Sequence, residues 1–232
     1  MRPFRVGPGA IPLFTLLVSA CAHSPAPAPS APPPSSAHGT TVNPANIKRV
    51  VRELPPNYEV TSAIPGAASP KVIWGLSDAS DYRAKPPQCA ALADPGEGRD
   101  QSAQGVSGSG TGGIIDAVVV SLPGPADLAG NLVNLVAACG QWTMTAGHTT
   151  ASVRLTEPPH IDGAETIGMV VDIRSSVESG TKIDSRAYTF TAYLGNYYAF
   201  TTLTTDPGSA LPALPPQFAA DLLVKTVSTL RR

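Results

Sequence analysis

The residues able to do chemistry are few and widely spaced. Of the four histidines, His23 and His38 lie in a proline-rich stretch. His148 sits in Gly147-His148-Thr149 and reads as a hairpin turn, and His160 follows Pro158-Pro159 in a loop. Neither of these two has a neighbouring carboxylate or nucleophile that would mark it as a general base, and no Gly-x-Ser-x-Gly elbow is present. Ser107 to Gly113 (SGSGTGG) is rich in glycine, but a phosphate-binding glycine loop follows a strand and opens a helix. This one precedes an apolar run and no Gly-Lys-Ser/Thr follows, so it reads as a flexible loop. Trp74 and Trp142 read as core anchors. No catalytic residue, metal site or cofactor is expected, and a hydrolase is a remote alternative.

The most specific chemistry is at Cys21. Arg2 and Arg5 precede the apolar run Ile11 to Ala20, which ends in small residues before the cysteine. That is the pattern of a secretory signal, too short between Gly7-Pro8-Gly9 and Ser24-Pro25 to span a membrane. Val18-Ser19-Ala20-Cys21 resembles the bacterial lipobox, in which the thiol receives a diacylglyceryl group after cleavage. Residues 1–20 are therefore expected to be a lipoprotein signal peptide and Cys21 the lipidation site, holding the protein to the cell membrane on its extracytoplasmic face. Residues 21–43, containing SPAPAPSAPPPSSA, read as an extended Pro/Ala tether, and residues 44–232 as a single domain.

Cys89 and Cys139 remain, an even pair in an exported and hence oxidising setting. A disulfide is the leading reading over a metal ligand or a reactive thiol, since neither CxxC nor a Cys/His cluster accompanies them. It would close a loop of about 50 residues, which in the chain-entropy picture contributes on the order of 4 kcal/mol.

The elements that must position these residues follow from periodicity. Asn43-Pro44 starts a helix with Ile47, Val50, Val51 and Leu54 on one side, and Pro86 to Leu92 suits one or two helical turns. Gly124-Pro125 introduces a helix bearing Leu128, Leu132, Leu135 and Val136, and Pro215-Pro216 opens another with Phe218, Leu222, Leu223, Val227 and Leu230. Ile114 to Val120 is a strand buried on both faces. Half-buried strands follow at Gln141 to Ala146, Ala151 to Thr156 and Ile167 to Arg174, and Leu194-Gly195-Asn196-Tyr197 joins a hairpin. The expected fold is α+β: an antiparallel sheet of about five to six strands with helices packed on one face, a two-layer sandwich with one disulfide.

The uncovered face of that sheet is the candidate binding surface. It would gather Arg154, Asp172, Arg174, Thr143, Thr145, Thr189, Thr191, Thr202, Tyr193, Tyr198 and Phe200. Hydroxyls, aromatic rings and a few charges suit a small polar, lipid or glycan ligand, or an envelope protein docking there as an accessory partner. The same residues also suit a solvated sheet face with weak surface ion pairs.

Composition narrows the partners. The chain has 232 residues with only 14% charged, 25 prolines and 21 glycines, and a net charge of −1. Removing residues 1–20 takes two arginines and no acid, leaving −3. Nucleic acid, which needs a clustered basic surface, is excluded as an expected partner.

Several motifs together carry a resemblance: the lipobox with its Pro/Ala stalk, Val50-Val51-Arg52-Glu53-Leu54-Pro55-Pro56-Asn57-Tyr58-Glu59-Val60, Pro86 to Leu92, Ser107 to Gly113, and a helix ending in Cys139 with Trp142 beyond it. They resemble an uncharacterised family of mycobacterial lipoproteins, similar in layout to the extracellular sensor domain of the serine/threonine kinase PknH. That resemblance covers about residues 45 to 230. It implies helices against a curved antiparallel sheet, a role in ligand binding or sensing rather than catalysis, and an actinobacterial envelope. The match carries over residue by residue only for Cys89 and Cys139, one disulfide where the sensor domain has more.

Overall fold

A computed structural model describes residues 41–62, 68–76, 82–123, 129–177 and 180–232. The signal, Cys21 and the tether up to residue 40 lie outside the described residues, as do Gly124-Pro125 and Leu128. Nine strands form one antiparallel sheet: β1 (Glu59–Thr61), β2 (Arg83–Lys85), β3 (Ser102–Gly110), β4 (Gly113–Ser121), β5 (Gln141–Ala146), β6 (Thr149–Thr156), β7 (Glu165–Ser176), β8 (Lys182–Leu194) and β9 (Tyr197–Thr205). Their order is β1-β3-β4-β9-β8-β7-β6-β5-β2. The expected strands are all there as β4 to β9, and three more extend the sheet beyond the expected five or six.

The largest addition is β3. Ser102–Gly110 holds one large apolar residue, Val106, and ends in the glycine run expected to be loop. It is a strand because its glycines admit a ring: a Cβ on Gly110 would come within 2.4 Å of Tyr58, and one on Gly108 within 3.1 Å of Leu54 and 3.3 Å of Tyr58. The run then turns at Gly113, whose φ of +123° favours glycine and where a Cβ would meet the Thr204 carbonyl oxygen at 2.5 Å.

The helices cover both faces, not one. On the first face, α4 (Pro216–Leu230) and a 3₁₀ helix (Pro44–Glu53) pack on β3, β4, β9 and β8. Ile47, Val50, Leu222, Leu223, Val227 and Leu230 there meet Val106, Ile115, Ala117, Val119, Phe190, Ala192, Ala199 and Leu203. Each large side chain so buried contributes roughly 1.5–3 kcal/mol. Asn43 caps the 3₁₀ helix, its side-chain oxygen accepting from the Ala45 N–H at 3.1 Å, and the three-residue turn stacks Ile47 over Val50. Thr201, in the middle of β9, donates to the Ala219 carbonyl at 2.7 Å and ties α4 to the sheet.

On the second face, short helices α1 (Pro70–Ile73), α2 (Ala90–Ala93) and α3 (Leu132–Ala138) form a thinner cover. Trp74, Leu76, Leu92 and Leu132 press on Val118, Phe200, Met169, Val171, Val153 and Trp142. Cys89 and Cys139 are bonded within this cover, with Cα atoms 5.6 Å apart. The two covers overlap across β4, β9 and the later half of β8, which are buried on both sides. The part of the first face formed by β7, β6, β5 and β2 carries exposed polar side chains instead.

Candidate functional site

The strand register lays out that exposed half-face. Arg83 on β2 is paired with Thr145 on β5, then Thr150 on β6, Arg174 on β7 and Asp184 on β8. One pleat along, Lys85 is followed by Thr143, Ser152, Asp172 and Arg186. In a strand alternate residues share a face, so both rows point outward while Trp142, Met144, Ala151 and Val153 point into the second core. The short side chains of β5 and β6 form a floor of four hydroxyls, and long charged side chains rise on either side. From β2 to β7 is three strand spacings, roughly 14 Å. Two concavities of about 520 Å³ open here, one lined by Arg83, Lys85, Thr143 and Thr145, the other by Thr150, Ser152, Asp172, Arg174, Asp184 and Arg186 with Pro207 at its end.

The β7–β8 wall is internally paired. Asp172 accepts from Arg186 Nε at 2.6 Å and lies 3.7 Å from Arg154 on β6, while Arg174 Nε donates to Asp184 at 2.7 Å. The Arg174 hydrogen bond holds the Asp184 carboxyl below the usual carboxylate range, and the bond to Asp172 raises Arg186 further. These side chains are 40 to 63% exposed, so the pairs set geometry more than stability. The β2 wall differs. Among the described residues Arg83 and Lys85 have no acidic partner, and both are exposed.

Of the residues expected on an open face, the structure brings together Arg154, Asp172, Arg174, Thr143 and Thr145. It separates them from Thr189, Thr191, Thr202, Tyr193, Tyr198 and Phe200, which are at most 5% exposed in the second core. The reason is register: Met169 lies opposite Thr189 and Ile167 opposite Thr191, so the hydroxyl row of β8 shares a face with the apolar row of β7. The expected Gly195-Asn196 turn does join β8 to β9, pairing Tyr188 with Leu203 and Phe190 with Thr201, but the hairpin is turned over relative to its expected side. Three of its polar residues find partners inside: Trp74 Nε1 donates to Thr189 at 3.1 Å, Thr189 and Thr202 share a hydrogen bond at 3.0 Å, and Tyr198 donates to the Ala68 carbonyl, whereas the buried Thr191 hydroxyl has no partner among the described residues. Sequence reasoning passed over Arg83, Lys85, Thr150, Asp184 and Arg186 as site residues. Thr150 and Ser152 could have been found, since they alternate with Ala151 and Val153; Arg83-Ala84-Lys85 is too short to show a period.

The histidines lie elsewhere. His148 is in the β5–β6 turn. His160 does find a carboxylate, with Nε2 3.1 Å from Asp162 Oδ1, but both side chains are almost fully exposed, and among the described residues no hydroxyl or thiol is hydrogen-bonded to the ring. No group of three His, Cys, Asp or Glu side chains suited to a metal occurs among the described residues. No helix among them is long and apolar enough to cross a membrane.

The disulfide bears directly on the β2 wall. Cys89 lies four residues beyond Lys85, at the end of a 3₁₀ turn (Pro87–Cys89), and Cys139 lies two residues before β5, so the bond ties the segment after β2 to the segment before β5. A covalent link thus tethers the end of a ladder that is only three residue pairs long.

These features define a disulfide-bonded α+β domain built on one antiparallel sheet. The chain belongs to the family described as a domain of unknown function (DUF5642), whose model matches residues 43–231. Among curated proteins none matches it. Among solved structures, an uncharacterized protein of Mycobacterium smegmatis, described as an Rv0999 ortholog, is similar over 82% of this chain and 98% of its own, with 19% identity and a TM-score of 0.58. The extracellular domain of PknH from Mycobacterium tuberculosis is similar over 82% and 92%, with 12% identity and a TM-score of 0.45.

Proposed function

We propose that the protein is an extracytoplasmic lipoprotein whose domain binds or senses a polar ligand without transforming it, and that the exposed half-face of β2, β5, β6 and β7 is the binding surface. One observation carries this reading: four hydroxyls, Thr143, Thr145, Thr150 and Ser152, are set in a floor between two charged walls. Such a floor offers donors and acceptors at fixed spacing to a polyhydroxylated molecule. A lipid at Cys21 would keep that surface at the membrane. The anchor is tested by mass spectrometry of the membrane fraction. An acylated peptide beginning at Cys21 is expected, and an unmodified peptide running from Ala20 through Ala22 sinks it. Binding is tested by native mass spectrometry of the full chain extracted from its own envelope in neutral detergent. Copurified mass should be lost in Thr143→Val/Ser152→Ala; copurified mass that persists unchanged in that variant would remove the half-face from the proposal.

A further inference from the structure

Resting on that reading of the half-face, we infer that its ligand is an anionic carbohydrate, a sugar chain bearing carboxylate or phosphate groups, whose acidic groups meet Arg83 and Lys85 while its hydroxyls lie on the β5–β6 floor. Three observations lead there.

The first is charge. Residues 44–232 are acidic overall, yet among the described residues the half-face holds five cations, Arg83, Lys85, Arg154, Arg174 and Arg186, against two acids, Asp172 and Asp184. The acids are already neutralised by arginines of their own wall. The surplus falls on β2, where Arg83 and Lys85 project from the same face two residues apart, roughly 7 Å along the strand. An anion arriving there displaces no existing ion pair among the described residues.

The second is what surrounds the cations. A lipid-headgroup site would place apolar side chains beside its basic residues to enter the bilayer. Among the described residues the exposed large apolar side chains, Val60, Ile114, Val133, Val136, Val177, Ile183, Leu211 and Val224, are all absent from the walls and floor of the two concavities. The neighbours of Arg83 and Lys85 are threonines, which hydrogen-bond a sugar and do nothing for an acyl chain.

The third is fixation. Edge strands of three residues fray, and cations on a fraying edge would bind with an ordering cost. Here the Cys89–Cys139 bond tethers the chain four residues beyond Lys85 to the chain two residues before β5, which limits how far that edge can separate from its neighbour.

The experiment is calorimetry on the full lipidated chain in neutral detergent, with three probes: a hexagalacturonate, neutral maltohexaose, and vesicles containing phosphatidylglycerol. Hexagalacturonate should bind, with affinity falling as salt is raised. Arg83→Gln/Lys85→Gln should weaken it at least tenfold and flatten the salt dependence, and Arg83→Glu/Lys85→Glu should abolish it. Because both side chains are exposed, the thermal transition of each variant should match the parent and so exclude misfolding as the cause. Absence of hexagalacturonate binding overturns the inference. Equal binding of maltohexaose, untouched by either variant but lost in Thr143→Val/Ser152→Ala, overturns the anionic class and leaves the half-face as a polar-ligand surface. Vesicle binding that depends on Arg83 and Lys85 and survives excess hexagalacturonate reassigns the cations to lipid and also overturns it.

Discussion

Lys71 Nζ lies 2.8 Å from Asp94 Oδ2, and the two side chains are only 13% and 6% exposed. The pair ties α1 to the end of α2 across the cover of the second face, with the Lys71 ammonium also stacked 4.5 Å over the Tyr82 ring. Removing one member leaves the other charge buried, which costs about 3–5 kcal/mol, whereas replacing both with apolar groups of similar size can cost little. Lys71→Met should therefore lower the urea midpoint sharply, and Lys71→Met/Asp94→Leu should recover much of the loss. A single variant as stable as the parent would show that water reaches the pair.

The disulfide gives a second stability test. Its members are separated by 50 residues, and Cys89→Ala/Cys139→Ala should lose on the order of 4 kcal/mol in chemical denaturation. Peptide mapping without reductant should recover the two cysteines linked, and free thiols at both positions would contradict the structure.

Asp116 gives a pH dependence. It is buried in β4, and burial raises its carboxyl above the ordinary value, partly offset by a hydrogen bond from Ser107. The folded state then keeps a proton that the unfolded chain has released. Its contribution to stability is full below the ordinary carboxylate range and is lost as pH rises through the raised value. Asp116→Asn should remove this decline, so its stability relative to the parent should increase from acid toward neutral pH in urea titrations. A constant difference between the two profiles would assign the slope to other groups.

The glycine run offers a test of packing. Gly110→Ala should destabilise because its new methyl group meets the Tyr58 ring, and the cost should shrink in a Tyr58→Ala background. Gly113→Ala combines a φ of +123° with a backbone obstruction at Thr204, and should cost about 1–3 kcal/mol in either background. Equal behaviour of the two positions in a double-mutant cycle would count against the close approach of Tyr58 to β3.

Strands with one apolar and one polar row declared themselves. Trp142, Met144, Ala151, Val153, Met169 and Val171 sit where their alternation put them, and the Asn43-Pro44 and Pro215-Pro216 signals mark real helix starts. The difficulty lay in β8 and β9, which are covered on both sides. Ala192 and Ala199 pack beneath α4, while Thr191 and Phe200 pack beneath the disulfide layer, so neither row carries a solvent-facing signature. Small hydroxylated residues hide in a core as readily as they face water once the register supplies partners, as Thr189 does for Trp74. The second cover was equally hard to foresee, because α1 and α2 are four residues each and too short to show a helical period. Half of the exposed half-face was legible through Arg154, Asp172 and Arg174. Its other wall depends on a three-residue strand tethered by the disulfide at Cys89, four positions further on.

That dependence has a consequence for when the surface comes into being. A thiol-reducing compartment would leave β2 held by its three backbone pairs and the packing of Ala84 without a covalent tether, so the wall carrying Arg83 and Lys85 would be the last part of the surface to settle. Oxidation closes it. A chain that forms this bond only after leaving the cytosol would complete this exposed half-face at the same moment, on the far side of the membrane from where it is made.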